Sequence, residues 1–297
     1  MKKKTVKRVC MVMMTGMMLA GCGKSAEKPA EQEAAVEAQL EDTEEQAESK
    51  EASDGAGAAS TETTSESDFE LGRVGDVIGI VRYTGTAESV VIPDAIDGVT
   101  ITAIGNAFNG NETIKSVVIP DTVEIIGEAT FMSCYSLESV QMSQNVTEIG
   151  ENAFLLCSSL KEIELPEGVK SIREGAFSSS ELERVELPLS LSEMEAYAFA
   201  GTKIKNVVIP SNVKTISERS FEDCENLEEV TIENGVELIE ESCFENCIQL
   251  KTIYIPDSVK EIDEDAFSDS DNVTIVTTAG SYAETYANEN GIPCEIQ

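Results

Sequence analysis

Phenylalanine recurs as Phe108, Phe131, Phe154, Phe177, Phe199, Phe221, Phe244 and Phe267, at intervals of 23, 23, 23, 22, 22, 23 and 23 residues. A fixed period in the twenties is the mark of a solenoid, because each repeat is one coil that can bury its apolar face only against its neighbours. One copy, Leu160 to Ser180, reads LKEIELPEGVKSIREGAFSSS, or L-x-x-I-x-L-P-x-x-V-x-x-I-x-x-x-A-F. Its strand part recurs as Ile114/Val117/Ile119, Leu137/Val140/Met142, Leu182/Val185/Leu187, Ile204/Val207/Ile209, Leu227/Val230/Ile232 and Leu250/Ile253/Ile255.

Residues two apart on a strand share a face, so pairs such as Ile163 and Leu165 point inward together. Pro93, Pro120, Pro166, Pro188, Pro210 and Pro256 end the strands, since proline cannot donate the next ladder bond. A second apolar pair follows, as in Val123/Ile126, Val169/Ile172 and Val259/Ile262, and the phenylalanine closes the coil. The phenylalanine column is therefore expected to be core. In the two short intervals the missing residue falls between phenylalanine and the next strand, in FSSSEL and FAGTKI. Cys134, Cys157, Cys224 and Cys247 stand three residues after phenylalanine in full-length turns only, which predicts a packing position that the shortened turns do without.

The unit IPDTVEIIGEATFMSCYSLESV, Ile119 to Val140, resembles the coils of the BspA-like, or Treponema-type, leucine-rich repeat family. The resemblance covers about residues 87 to 280, with fitting segments at both ends: VRYTGTAESVVIPDAIDGVTITAIGNAF and AGSYAETYANENGIPCEI. It implies a curved solenoid, frequent export to bacterial surfaces, and roles in adhesion or other protein binding. The expected fold is an α/β repeat, mostly β, of about eight coils of 22 or 23 residues, with a parallel sheet on the concave face and a C-terminal capping helix. Within the closing segment Ser281 and Glu284 form an S-x-x-E capping box, Tyr282 and Tyr286 are four apart, and Gly291 with Pro293 stops the helix.

The other end has a different character. Lys2, Lys3, Lys4, Lys7 and Arg8 precede an apolar run from Val9 to Ala20, which is a secretory signal pattern. A membrane span needs about 20 apolar residues, so this run is too short to remain as one. LAGC, Leu19 to Cys22, resembles the bacterial lipoprotein signal, which implies a diacylglyceryl group on Cys22 after cleavage; a plain signal peptide cut nearby is the alternative. Residues 23–68 contain 14 acids, 3 lysines and no aromatic residue, too little apolar surface to offset ordering entropy. They read as a disordered acidic tether of 46 residues, longer than the roughly 35 to 40 Å of an uncharged flexible chain. The expected divisions are a signal peptide over 1–21, lipidated cysteine and tether over 22–68, a leading segment and first coil over 69–107, repeats over 108–272 and a cap over 273–297.

The chain has 21 Lys+Arg against 56 Asp+Glu, and without the five leader cations the balance is 16 against 56, or −40. Such a field repels nucleic acid and anionic head groups, which excludes both as direct partners. There is no histidine, so Ser-His-Asp and Cys-His catalysis and histidine metal sites are excluded, and GRVGDVIG lacks the context of a phosphate-binding loop. No enzyme activity, cofactor or metal centre is expected.

Three surface features remain. Cys134 with Cys157, and Cys224 with Cys247, lie on adjacent coils and are candidates for disulfides, the competing reading being buried thiols. Cys243 replaces the small residue before phenylalanine, and Cys294 falls in the cap. Glu128, Glu151, Glu174, Glu218, Glu241 and Glu264 form a column broken at Ala196. It could gather calcium, or be solvated with each acid opening a short helical turn. Glu162, Glu164, Arg184, Glu186, Glu229, Thr231 and Tyr254 flank the inward strand residues and should line the concave sheet. That face, mostly acidic with one aromatic, suits a basic protein surface. The expected protein is a membrane-anchored lipoprotein of the bacterial cell surface that binds an extracellular or host protein. A structural envelope spacer and a cell-wall carbohydrate-binding module are the alternatives.

Overall fold

A computed structural model describes residues 64–297; the leader, Cys22 and most of the acidic segment lie outside them. The described residues belong to one compact unit, Gly55–Gln297. Each of the first eight coils lays down two short strands on different sides, and the last lays down one before the closing helix. The first row runs from Ser89–Val91 through Ser116–Val118, Ser139–Gln141, Glu162–Ile163, Arg184–Val185, Asn206–Ile209, Glu229–Ile232 and Thr252–Tyr254 to Thr274–Thr277. That makes nine coils, one more than expected. The added one is the last, where Thr274–Thr277 falls in the expected cap. In the leading coil the strand-to-strand step is 27 residues, and an antiparallel hairpin of Ala95–Ile96 with Val99–Thr100 takes up the difference.

Pairing along the row is parallel and in register, as in Val90↔Val117, Val117↔Val140, Val207↔Val230, Val230↔Ile253 and Ile253↔Ile275. These inward residues are all buried. The second row, from Ala103–Ile104 to Glu261–Ile262, repeats the arrangement with Ile104, Ile126, Ile149, Ile172 and Met194 facing inward. Stacking thus converts two short apolar patterns into two continuous walls of the core.

The third side carries no helix among the described residues. Instead, residues two before and two after most phenylalanines adopt left-handed backbone, for example Ala129 (φ 51°) and Ser133 (φ 59°), or Asn152 (φ 54°) and Leu156 (φ 63°). The reason lies in the hydrogen bonds. The N–H groups of Ala129, Phe131 and Ser133 donate to the carbonyls of Glu151, Ala153 and Leu155 in the next coil, each at 2.8 Å. A helix would have used those donors internally, so the expected helical turns are replaced by a ladder between coils. Left-handed non-glycine residues cost about 1 to 2 kcal/mol each, and here that cost secures a satisfied backbone on every coil.

The phenylalanines form one stack. From Phe108 to Phe267 successive ring centroids are 5.0 to 5.6 Å apart, with interplanar angles of 5 to 18°. Tyrosine closes each end: Tyr83 lies 5.2 Å from Phe108 and in turn touches Phe69, while Tyr286 lies 6.1 Å from Phe267. Tyrosine suits these positions because its hydroxyl can meet a polar end. Tyr286 donates to the Asp263 carbonyl at 3.1 Å, and burial pushes its phenol up to about 12.

Both ends of the core are covered. The hairpin Phe69–Val74 with Val77–Tyr83 joins the second row through Ile80↔Ile104. Thr64 to Asp68, on the tether side of the expected boundary, are bound to the leading coil: Thr64 Oγ1 accepts from the Val91 N–H and Glu66 from the Asp97 N–H. At the far end α1, Tyr282–Asn290, has Ser281 as N-cap, accepting from the Glu284 N–H at 3.0 Å. Gly291 ends it at φ 69°, a left-handed conformation that glycine adopts freely. Of the two helix tyrosines only Tyr286 turns inward; Tyr282 is exposed. Strand Cys294–Ile296 then adds to the first row beside Thr274–Thr277.

Candidate functional face

The outer side of the first row is built from the residues that alternate with the buried ones. Two columns result from the register. The first contains Ser116, Ser139, Glu162, Arg184, Asn206, Glu229 and Thr252, and the second Val118, Gln141, Glu164, Glu186, Val208, Thr231 and Tyr254. All seven residues singled out in the sequence stand here. Glu162, Glu164, Arg184 and Glu186 line one broad depression of about 890 Å3, and Glu229, Thr231 and Tyr254 line another of about 770 Å3. A smaller one of about 450 Å3, bordered by Arg184, Glu186, Val208, Glu229 and Thr231, lies between them. The face is continuous and open.

Arg184 is opposite Glu162 in register but pairs with Glu186 on its own coil. One residue before the first column, a further column had no part in the sequence reading. It reads Glu88, Lys115, Glu138, Lys161, Glu183, Lys205, Glu228, Lys251, with the sign changing at every coil. Lys115 meets Glu88 at 2.6 Å, Lys161 meets Glu183 at 3.2 Å and Lys251 meets Glu228 at 2.6 Å. The ion pair holds the Lys115 ammonium above its ordinary value and the Glu228 carboxyl below its own. Comparing the repeats position by position would have found this column, because its spacing follows the coil period. The rim neutralises itself, so the net charge of the face comes from Glu162, Glu164, Glu186 and Glu229 against the single Arg184.

The six cysteines among the described residues are not paired. Cys134, Cys157, Cys224 and Cys247 are buried free thiols, and each donates to the carbonyl of a phenylalanine one coil back: Phe108, Phe131, Phe199 and Phe221, at 3.1 to 3.2 Å. Each sulfur is directed at a backbone acceptor, which corrects the disulfide candidates. The column also persists in the shortened turns, where Ser180 and Thr202 are buried at the same place; Ser270 repeats the bond, donating to the Phe244 carbonyl at 2.6 Å. The position therefore calls for a small donor, with cysteine one of several solutions. Burial pushes the Cys134 thiol up to about 12 and that of Cys224 to about 11, so neither is a nucleophile at neutral pH.

In the glutamate column, Glu151 is held above the usual carboxylate range by burial and by Glu128, Glu174 and Glu195 around it. No set of three ligating side chains placed to hold a metal ion occurs among the described residues. Cations interrupt the acids instead. Arg173 reaches Glu148, Glu193 and Glu195 at 3.3, 3.4 and 2.8 Å, and Arg219 meets Glu218 and Glu222 while lying 5.8 Å from the centre of the Tyr197 ring.

The repeat pattern known as the BspA type Leucine rich repeat region matches in six copies across residues 82–202 and 147–274. The chain belongs to this family. Among solved structures it is similar to the T. pallidum Leucine Rich Repeat protein, at 30% identity and TM-score 0.59, over 64% of this chain and 91% of that one. A leucine-rich repeat protein from Bacteroides ovatus shares its fold at 20% identity and TM-score 0.54, over 71% of this chain and 70% of that one. No curated protein matches the sequence. The family and the fold agree on a leucine-rich repeat solenoid, mostly β, of about nine turns.

Proposed function

We propose that this leucine-rich repeat protein is a cell-surface binding protein whose first-row face holds a protein partner with a basic surface. The observation that carries the reading is the face itself. Seven residues drawn from four coils line adjoining depressions on the first row, with a net negative charge and their inward neighbours locked in the core. Complementary charge would speed encounter and select against acidic partners. A fixed solenoid also spares a partner the ordering cost of a mobile loop.

Surface display rests on the leader, with the Cys22 thiol carrying a diacylglyceryl anchor and the acidic segment spacing the solenoid from the membrane. Cys22→Ser should abolish incorporation of labelled palmitate and release the protein from the membrane fraction; undiminished labelling would refute the anchor. For the binding role, immobilised Gly55–Gln297 is offered extracellular matrix proteins and isolated wall polymers in parallel. Saturable capture of one protein supports the reading. Uptake of polysaccharide alone would replace it with a carbohydrate-binding module, and capture of nothing with a structural spacer.

A further inference from the structure

We infer that the depression at the C-terminal end of the first-row face is a seat for a lysine or arginine side chain of the partner protein, a refinement that rests on the binding role proposed above. Its walls are the Tyr254 ring, the edge formed by Ile255 and Pro256, and the carboxylates of Glu229 and Asp257. At about 770 Å3 it has room for a long side chain and its flanking backbone.

What separates this depression from the rest of the face is the combination of unpaired acids with an aromatic ring. The depression lined by Glu162 and Glu164 has no aromatic residue and already holds a cation, Arg184, paired with Glu186; on the rim Glu183 pairs with Lys161 at 3.2 Å and Glu228 with Lys251 at 2.6 Å. Glu229 and Asp257 form no ion pair among the described residues, and no lysine or arginine lines the depression. In the register Glu229 stands between Asn206 and Thr252; Lys205 of the neighbouring coil lines the adjoining depression but forms no ion pair with it. Asp257 accepts a hydrogen bond from the Thr278 hydroxyl, which orients one oxygen and leaves the other for a guest.

Tyr254 is the aromatic residue of this outer face, half-buried and held by its pairing with Thr231 and Val276. The negative face of an aromatic ring attracts an ammonium or guanidinium within about 6 Å of its centre. Aliphatic carbons of a lysine or arginine stem can lie along the part-exposed Pro256 and the Tyr254 ring while the head meets the carboxylates. An anion would be repelled, and a neutral sugar could stack on Tyr254 and donate hydroxyls to the two acids but would leave their charge unbalanced. The chemistry of the walls is therefore selective for a cation on an apolar stem.

The test uses Gly55–Gln297, whose core is closed at both ends, with ring-labelled tyrosine, titrated with the peptide acetyl-Ser-Arg-Ser-Arg-Ser-amide and followed by NMR at about 0.15 M salt. The Tyr254 ring signals should move saturably while those of Tyr135 and Tyr197, on other parts of the surface, stay in place. Glu229→Gln with Asp257→Asn should weaken binding about fivefold or more, and unmoved Tyr135 and Tyr197 signals report that the variant is folded. Equal movement of all three tyrosines, an unmoved Tyr254, or unchanged affinity in the double variant would each overturn the inference. The titration needs no captured protein, so a failure of the wider binding role shows separately, as an empty capture experiment.

Discussion

Phe177→Ala should be among the most damaging single substitutions in the chain. Phe177 is fully buried at the middle of the ring stack, 5.2 Å from both Phe154 and Phe199. Removing the ring forfeits about 2 to 3 kcal/mol of transfer energy, and a cavity on the order of 100 Å3 adds up to about 2.4 kcal/mol if the walls do not close. Because inward residues of both neighbouring coils are fixed by their own ladders, little collapse is expected, and the cost should be about 3 to 5 kcal/mol. Phe177→Leu keeps most of the volume but loses two ring contacts of about 0.5 to 1.5 kcal/mol each, so it should cost about 1 to 3 kcal/mol. For a unit of this size those figures correspond to a fall in Tm of about 6 to 20 °C for the alanine variant and a few degrees for leucine. Urea unfolding of Gly55–Gln297 followed by circular dichroism, with hydrogen exchange to detect partial unfolding of the repeat array, measures both. A cost below about 1 kcal/mol for Phe177→Ala would refute the view that the stack organises the core.

Two further outcomes follow from the site chemistry. A thiol-specific reagent at neutral pH should modify Cys294 in the folded unit and leave Cys134, Cys157, Cys224, Cys243 and Cys247 untouched, with all six reacting after denaturation without reductant; four missing thiols would restore the two disulfides. Glu151 has a folded-state pKa above its unfolded value, so its ionised form opposes folding once the pH exceeds both. Glu151→Gln should therefore raise Tm at pH 7 and lose that gain as the pH falls below the ordinary carboxylate range; an equal effect at pH 3 would show that charge is not the cause.

The sequence revealed the features that repeat identically and concealed those in which different residues meet one requirement. The phenylalanine period, the strand positions and the capping helix were legible because each recurs with the same residue class or carries a local signal such as Ser281 and Gly291. The last coil was obscured because a capping helix follows Thr274–Thr277 in place of a second strand and phenylalanine, and the tyrosines at the ends of the stack by their different chemistry. The thiol column seemed interrupted at Ser180 and Thr202 because the requirement is a small donor, not sulfur. The absence of helical turns was illegible for a deeper reason: Ala129, Asn152, Tyr197 and Arg219 share a left-handed backbone imposed by bonds to the next coil, and no composition encodes it. On the candidate face, the seven residues were legible from strand alternation, whereas the sign-changing rim was overlooked because each of its members is an ordinary surface charge.

The most direct test of the binding role compares two charge reversals against the protein captured by the unit. Glu164→Lys with Glu186→Lys alters the first-row face, and Glu124→Lys with Glu261→Lys makes the same change in charge beside the second row, where both acids are exposed. Affinity should fall at least about tenfold for the first pair and stay within about twofold for the second. Equal losses from both pairs, or a loss confined to the second, would contradict the assignment of the first-row face as the binding surface.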